Sequence, residues 1–247
     1  MSPGSGRIPR FHLPDALAPG VELALPPDAG HHALRVLRMR EGDAICLFDG
    51  KGGEHAARIV RLSRDRVAVL VGEFSPVERE SPLQVTLVQA VSSGDRMDLT
   101  LQKAVELGVG AIQPVLAERS VVRLKGERGD SRREHWQRVA ISACEQCGRN
   151  RVPQVASPIA LADYRAPGDS LKLLLAPAGA TNLRSVGATA GKPVVLAAGP
   201  ESGFSPREEE ILVSGGFVPV RLGPRILRTE TAGPAALAAL NAIYGDG

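Results

Sequence analysis

The apolar residues of this chain change rhythm once, at Gly72–Pro82, GEFSPVERESP, a charged stretch with two prolines and no periodicity. Before it, from Val21 to Glu73, they come in short bursts parted by turns: VELAL, AICLF, AARIVRL and RVAVLVGE. Partial alternation of this kind fits strands with one wet face. After it, nearly continuous apolar runs alternate with segments of helical spacing. LQVTLVQAV (83–91) precedes DRMDLTLQKAVELG, AIQPVL precedes SRREHWQRVAISACEQCG, and further strands are expected at LKLLLA, PVVLAA and FVPVRL. Strands alternating with helices imply a mostly parallel sheet covered on both faces. The expected fold class is α/β: a small β-barrel over residues 1–72, a linker over 73–82 and a parallel α/β domain over 83–247. A chain of 247 residues can bury a core in each part.

Local signals place the helices. In DAGHHALRVLRM, Asp28 is the candidate N-cap and Leu34, Val36 and Leu37 form an apolar side. Arg35 and Arg38 fall at i and i+3 and would share a helical face, with Arg40 following. Met97, Leu101, Ala104 and Val105 make a helical stripe that Gly108 would end. Ser131 with Glu134, and Ser205 with Glu208, have capping-box spacing, the second with Pro206 at the first helical position. Trp136, Val139, Ala140, Ala143, Cys144 and Cys147 share one stripe.

Several function classes drop out. No apolar run approaches the roughly 18 residues of a membrane span, MSPGSGRIPR lacks the apolar core of a signal peptide, and three cysteines make no disulfide framework. A cytoplasmic protein is expected. Cys144 and Cys147 have CxxC spacing, but no further ligands stand at zinc-site distances, so they read as small buried hydrophobes and no metal is expected. His31 and His32 have no carboxylate partner at a recognisable spacing and read as helix surface. DGKGG (49–53) lacks the P-loop order and reads as a hairpin turn. The net charge of +3 is modest, yet between Arg119 and Arg151 nine Lys/Arg face four acidic residues. Basic segments in both halves suit a polyphosphate partner. Aromatic residues are only 3%, which argues against a stacking platform for single strands.

Two loops carry the chemistry. In LAAGPESGFSPREEE (196–210) a buried strand ends at Gly199-Pro200-Glu201-Ser202-Gly203 before a capped helix, where open α/β sheets bind ligands. The GxGxxG fingerprint is absent, so a dinucleotide is not supported. One strand later comes LGPRILRTETAGPAALAAL (222–240). If the two strands are neighbours, their loops face one pocket of backbone groups and apolar side chains, better suited to an adenosine than to a pyrophosphate. Arg228, Thr229 and Glu230 would ring its mouth.

QKAVELGV, ACEQCGRNRVP, GPESG and LGPRILRTETA, with RIPRFH and HALRVLRM near the start, resemble in order the RsmE family of 16S ribosomal RNA uracil-N3 methyltransferases, in the SPOUT superfamily. The likeness spans nearly the whole chain. It implies an N-terminal PUA-like RNA-binding barrel and a C-terminal SPOUT domain whose last segment forms a trefoil knot. It further implies a homodimer that uses S-adenosyl-L-methionine on 16S RNA or the 30S subunit. By motif match, Leu196, Gly199, Glu201, Leu222, Gly223, Ile226 and Leu227 would contact the cofactor. Arg7, Arg10, Arg35, Arg38, Arg149 and Asn150 would hold RNA. Arg228 would stabilise charge developing on the uracil, and either Glu201 or Glu230 would accept its N3 proton or orient an arginine. The family form of the first loop is GPEGG, and Ser202 would be strained if that position required a positive φ. A non-enzymatic RNA-binding factor, or a related enzyme acting on another RNA, are the rival readings.

Overall fold

The computed structural model describes residues 8–64, 66–120, 127–187 and 192–246. The chain divides into two units. One comprises the residues up to Glu80 together with Cys144–Val152; the other comprises Ser81–Ala143 and the chain from Pro153 onward.

The first unit is built on a sheet of five strands: β1 (Arg10–His12), β2 (Glu22–Ala24), β3 (Ala44–Phe48), β4 (Glu54–Leu62) and β5 (Val67–Ser75). Their order is β1-β3-β4-β5-β2, with β1 parallel to β3 and the other pairs antiparallel. The register between β4 and β5 shifts twice, at His55/Ala57 and at Ile59/Arg61. Such bulges bend and twist a ladder, and the sheet curls as a half-barrel around Phe11, Ile45, Leu47, Ile59, Val67 and Val69. The DGKGG turn joins β3 to β4 as the expected hairpin. Strand pairing in β5 extends to Ser75, inside the stretch expected as a linker.

The short basic helix differs from expectation. Helix α1 (Pro27–His31) starts after Pro26, with no side-chain cap, so Asp28 lies in its first turn. A π-helical turn, His32–Val36, then ends at Leu37. Arg38 follows with φ 52°, a left-handed conformation that costs a side-chain-bearing residue energy. Arg35 and Arg38 therefore do not share a helical face. Only Leu34 of the supposed apolar side packs on the core; Val36 and Leu37 are exposed.

The second unit is the parallel α/β layer. Its strands are β6 (Val85–Ala90), β7 (Ala111–Leu116), β8 (Gln154–Val155), β9 (Ile159–Ala160), β10 (Leu171–Leu175), β11 (Thr181–Asn182), β12 (Val194–Ala198) and β13 (Val218–Arg221). The order is β11-β13-β10-β12-β6-β7-β8, with β9 also on β7, and every pair is parallel. Its helices are α2 (Asp95–Glu106), α3 (Glu127–Cys147), α4 (Pro206–Ser214) and α5 (Thr229–Tyr244), the last turn of α3 grouping with the first unit. The stripe Met97, Leu101, Ala104 and Val105 is buried, and α2 gives way to Leu107 and then Gly108 at φ 79°. Helix α3 already includes Glu127, so Ser131 lies inside it and caps nothing; the capping-box spacing there is coincidental. On one face of the sheet Val88, Val115, Leu174, Val195 and Ala197 pack with Phe204, Leu212 and Phe217. Helix α5 packs on α2, β12 and β6. Gly233 faces β6, where a Cβ would meet Gln89 Oε1 and Leu87 at 3.4 Å, an ordinary contact distance. No described helix is long and apolar enough to cross a membrane.

Candidate active site

The pocket forms where three strands of the parallel sheet end. Strand β12 runs out into Gly199–Gly203, a tight turn in which Gly203 N–H donates to the Pro200 carbonyl at 2.9 Å. Gly203 supplies the positive φ, 72°, and Ser202 does not need one, so the serine is unstrained. Its hydroxyl donates to the Arg119 carbonyl at 3.4 Å, and Arg119 Nη1 donates to the Ser202 carbonyl at 3.3 Å. The turn is held from below by α4. Ser205 Oγ accepts from Glu208 N–H, and Glu208 Oε2 accepts from Ser205 N–H at 2.8 Å, the capping box read from the sequence. Glu208 Oε1 also accepts from Glu118 N–H at 2.8 Å.

The second loop, 222–228, leads from β13 into α5. Strands β12 and β13 are not neighbours, because β10 lies between them. The loops nevertheless line one pocket, joined by Leu175, Ala176 and Pro177 from the end of β10. Those three residues were missed by sequence reasoning, although LKLLLAPAGA has the same strand-then-turn form as the other two loops. Two hydrogen bonds, one buried and one partly buried, tie the pocket together. Thr229 Oγ1 donates to the Gly199 carbonyl at 2.8 Å and accepts from Gln89 Nε2 at 3.2 Å.

Of the expected cofactor residues, Gly199, Glu201, Leu222, Gly223, Ile226 and Leu227 all line this pocket. Leu196 does not. It is fully buried inside β12, two residues short of the strand end, and belongs to the core. Arg221, Arg225 and Glu209 add charge of both signs to walls that are otherwise backbone and apolar side chains. Ile226, 81% exposed, stands at the lip.

Glu201 Oε1 accepts from Arg96 Nη1 at 2.9 Å and from Ser93 N and Oγ, each at 3.2 Å. Partial burial pushes its pKa up. Its own backbone N–H, Arg96 and Ser93 outweigh that and hold the carboxyl below the ordinary range. Such a group is a poor proton acceptor. Arg228 is the N-cap residue of α5 and exposed, and its side chain makes no hydrogen bond or ion pair among the described residues. A cation at the positive end of a helix dipole is disfavoured, so Arg228 does not serve the helix. Glu230 lies half-buried in the first turn of α5, outside the pocket lining.

The expected RNA residues separate into two sets. Arg7 lies outside the described residues. Arg35 and Arg38 are exposed. Arg10, Arg149 and Asn150 are buried and committed to structure. Arg10 bonds Glu54, the Asn150 side-chain oxygen and the Arg149 carbonyl, and stacks over Phe48 at 4.9 Å. Arg149 is paired with Glu80, and Asn150 Nδ2 donates to the Val77 carbonyl at 2.7 Å. Direct phosphate contact by these three would require breaking buried pairs, which is costly. Cys144 is buried, its thiol pushed up to about 12 by burial, and Cys147 is partly buried.

Residues 79–241 match a family model described as an RNA methyltransferase domain, and residues 25–71 match one described as an RNA methyltransferase PUA domain. The ribosomal RNA small subunit methyltransferase E of Bacillus subtilis is 34% identical over 220 residues, covering 85% of this chain and 86% of that protein. The protein of the same name from Buchnera aphidicola of Schizaphis graminum is 32% identical over 242 residues, covering 97% and 98%. A crystal structure of the Neisseria gonorrhoeae ribosomal RNA small subunit methyltransferase E bound to S-adenosyl methionine superposes with a TM-score of 0.90 at 44% identity, covering 97% and 99%. A putative methyltransferase from Legionella pneumophila, solved with bound cofactor SAM, gives 0.94 at 41% identity, covering 98% and 100%.

Proposed function

The chain belongs to the ribosomal RNA small subunit methyltransferase E family, and from that premise we propose that the three-loop pocket binds S-adenosyl-L-methionine for methyl transfer to N3 of a uridine in 16S ribosomal RNA. The chain is an S-adenosylmethionine-dependent methyltransferase of small-subunit ribosomal RNA. The observation that carries the placement of the reaction is the convergence of Gly199, Glu201 and Leu222–Leu227 on one pocket. Backbone groups and apolar walls suit an adenosine. Arg221, Arg225, Glu201 and Glu209 offer both signs of charge to a zwitterionic amino-acid tail.

S-adenosylmethionine, when bound, supplies an electrophilic methyl on sulfonium sulfur. The chain must bring a uracil N3 to it and manage that nitrogen's proton, which is present at neutral pH. Arg228, exposed beside the pocket-lining Leu227 and Thr229, stabilises the negative charge that develops on a uracil carbonyl oxygen. Glu201 stays ionised and tied to Arg96, so its role is electrostatic: it anchors the first loop and offsets positive charge in the pocket. Of the two carboxylates expected to take the proton, that leaves Glu230, in the first turn of α5. A target uracil within structured RNA has to be turned outward to reach the site, and Arg35 and Arg38 of the PUA-like unit grip the surrounding phosphates.

The return of α5 from β13 onto α2, β12 and β6 supports threading of the C-terminal segment as a trefoil knot. A homodimer is part of the same reading; Leu99 and Ile243, exposed on the mutually packed helices α2 and α5, are candidates for burial in it. The deciding experiment incubates the chain with labelled S-adenosylmethionine and either 30S subunits or bare ribosomal RNA, then maps the modified base. Label on a single 16S uridine at N3 is expected; label elsewhere, or none, would overturn the reading.

A further inference from the structure

Gln89 is fully buried near the carboxyl end of β6. A polar amide in such a place costs desolvation unless its groups are bonded. Its Nε2 donates to the Ala90 carbonyl at 3.1 Å and to Thr229 Oγ1 at 3.2 Å, while its Oε1 has no partner. The orientation of the amide follows from chemistry: a carbonyl only accepts, so the nitrogen must face Ala90. With Nε2 occupying a lone pair of the Thr229 hydroxyl, the single hydroxyl hydrogen is directed to the Gly199 carbonyl at 2.8 Å. Three segments distant in sequence thus meet at one hydroxyl: β6, the Gly199–Gly203 turn and the first residue of α5.

We propose that Gln89 and Thr229 form a positioning relay that sets the width of the cofactor pocket and the placement of Arg228, the residue just before Thr229. The proposal rests on the methyltransferase reading above. A packing role alone would need no amide, since methionine fills a similar volume and leaves no unpaired oxygen.

The test compares wild type with Thr229→Val, Thr229→Ser and Gln89→Met. It measures S-adenosylmethionine affinity by calorimetry, kcat on 30S subunits, and the thermal unfolding midpoint. Thr229→Val is expected to weaken S-adenosylmethionine binding about 10-fold and to lower kcat about as much, with Thr229→Ser restoring both to within about 3-fold. Gln89→Met removes an unpaired buried acceptor along with the donor, so its unfolding midpoint stays near wild type while affinity falls about 3- to 10-fold. Wild-type affinity and kcat in both Thr229→Val and Gln89→Met would overturn the relay. So would losses that follow the unfolding midpoint and are not rescued by serine. Should Thr229→Val fail to fold, Gln89→Met decides alone. A wild-type chain that bound no S-adenosylmethionine would overturn the methyltransferase reading and the relay with it. That outcome is distinguishable, because failure of the relay alone leaves wild-type binding intact.

Discussion

In the first unit, Arg10 and Arg149 have side chains only 6% and 5% exposed, each closed onto a carboxylate. In the second, Arg228 is exposed at the start of α5, where the helix dipole disfavours a cation. All three belong to motifs that look alike in sequence, polar residues in a turn next to an apolar run. The difference lies in the partners. Glu54 and Glu80 come from distant parts of the chain and neutralise the first pair, so those arginines brace the half-barrel. Arg228 has no such carboxylate among the described residues, and in the proposed reading its charge serves the substrate.

The sharpest way to break this contrast is Arg228→Ala. If the proposed role holds, loss of this charge should lower kcat by about 100- to 1,000-fold while leaving S-adenosylmethionine affinity within about 2-fold. Single-turnover methylation of 30S subunits, with calorimetry alongside, separates the two. Unchanged turnover would make Arg228 ordinary surface and erase the distinction. The converse change, Arg149→Met, strands Glu80 beside an apolar chain. It should cost about 3 kcal/mol of unfolding free energy in urea titration, and RNA affinity of the folded fraction should be kept. A large loss of RNA affinity at full stability would instead return Arg149 to the RNA-binding set.

Acid titration probes the same brace. Burial raises the Glu54 pKa, but bonds from Arg79 and Arg10 outweigh it and hold the group at about 2, below its ordinary 4.5. A carboxyl depressed in the folded state contributes stability above its unfolded pKa and loses it as pH falls through the folded value. Stability of the first unit should therefore decline from about pH 4.5 toward pH 2, by on the order of 2 kcal/mol from this group. Glu54→Gln should be less stable at pH 7 and should flatten that decline in pH-dependent urea titrations. An unaltered acid slope would show that Glu54 is not the group responsible.

What the sequence disclosed follows the range of the forces involved. Helix stripes, the Ser205–Glu208 capping box and the strand-ending turns are local, and they were legible because a few neighbouring residues decide them. The order of the sheet was not: nothing in PVVLAA or FVPVRL announces that β10 will lie between them, so Leu175, Ala176 and Pro177 went unread as pocket walls. Buried pairing is equally non-local. Arg10 and Asn150 are 140 positions apart, and from the sequence alone each looked like a free polar side chain. Leu196 failed for a simpler reason: the strand continues two residues past it. In the same way the capping-box spacing at Ser131 and Glu134 fell inside a helix that already includes Glu127.

Arg38 sharpens the comparison at the smallest scale, because it sets fold and function against each other at a single residue. Its φ of 52° lies where a side chain is disfavoured and glycine is not. If arginine is kept there for its charge, Arg38→Gly should remove strain and a phosphate contact together. Unfolding free energy should then rise by about 0.5–1 kcal/mol once the extra chain entropy of glycine is counted. RNA affinity should fall only a few-fold, with the slope of log affinity against log salt shallower by about 1. Arg38→Ala should lose the same affinity without the gain in stability, since alanine keeps the Cβ that makes the conformation costly. A glycine variant that gains stability and binds RNA as wild type would show that the strained arginine is not a phosphate contact at all. The exposed cations of the two units would then have to be judged separately, Arg38 by RNA affinity and Arg228 by turnover.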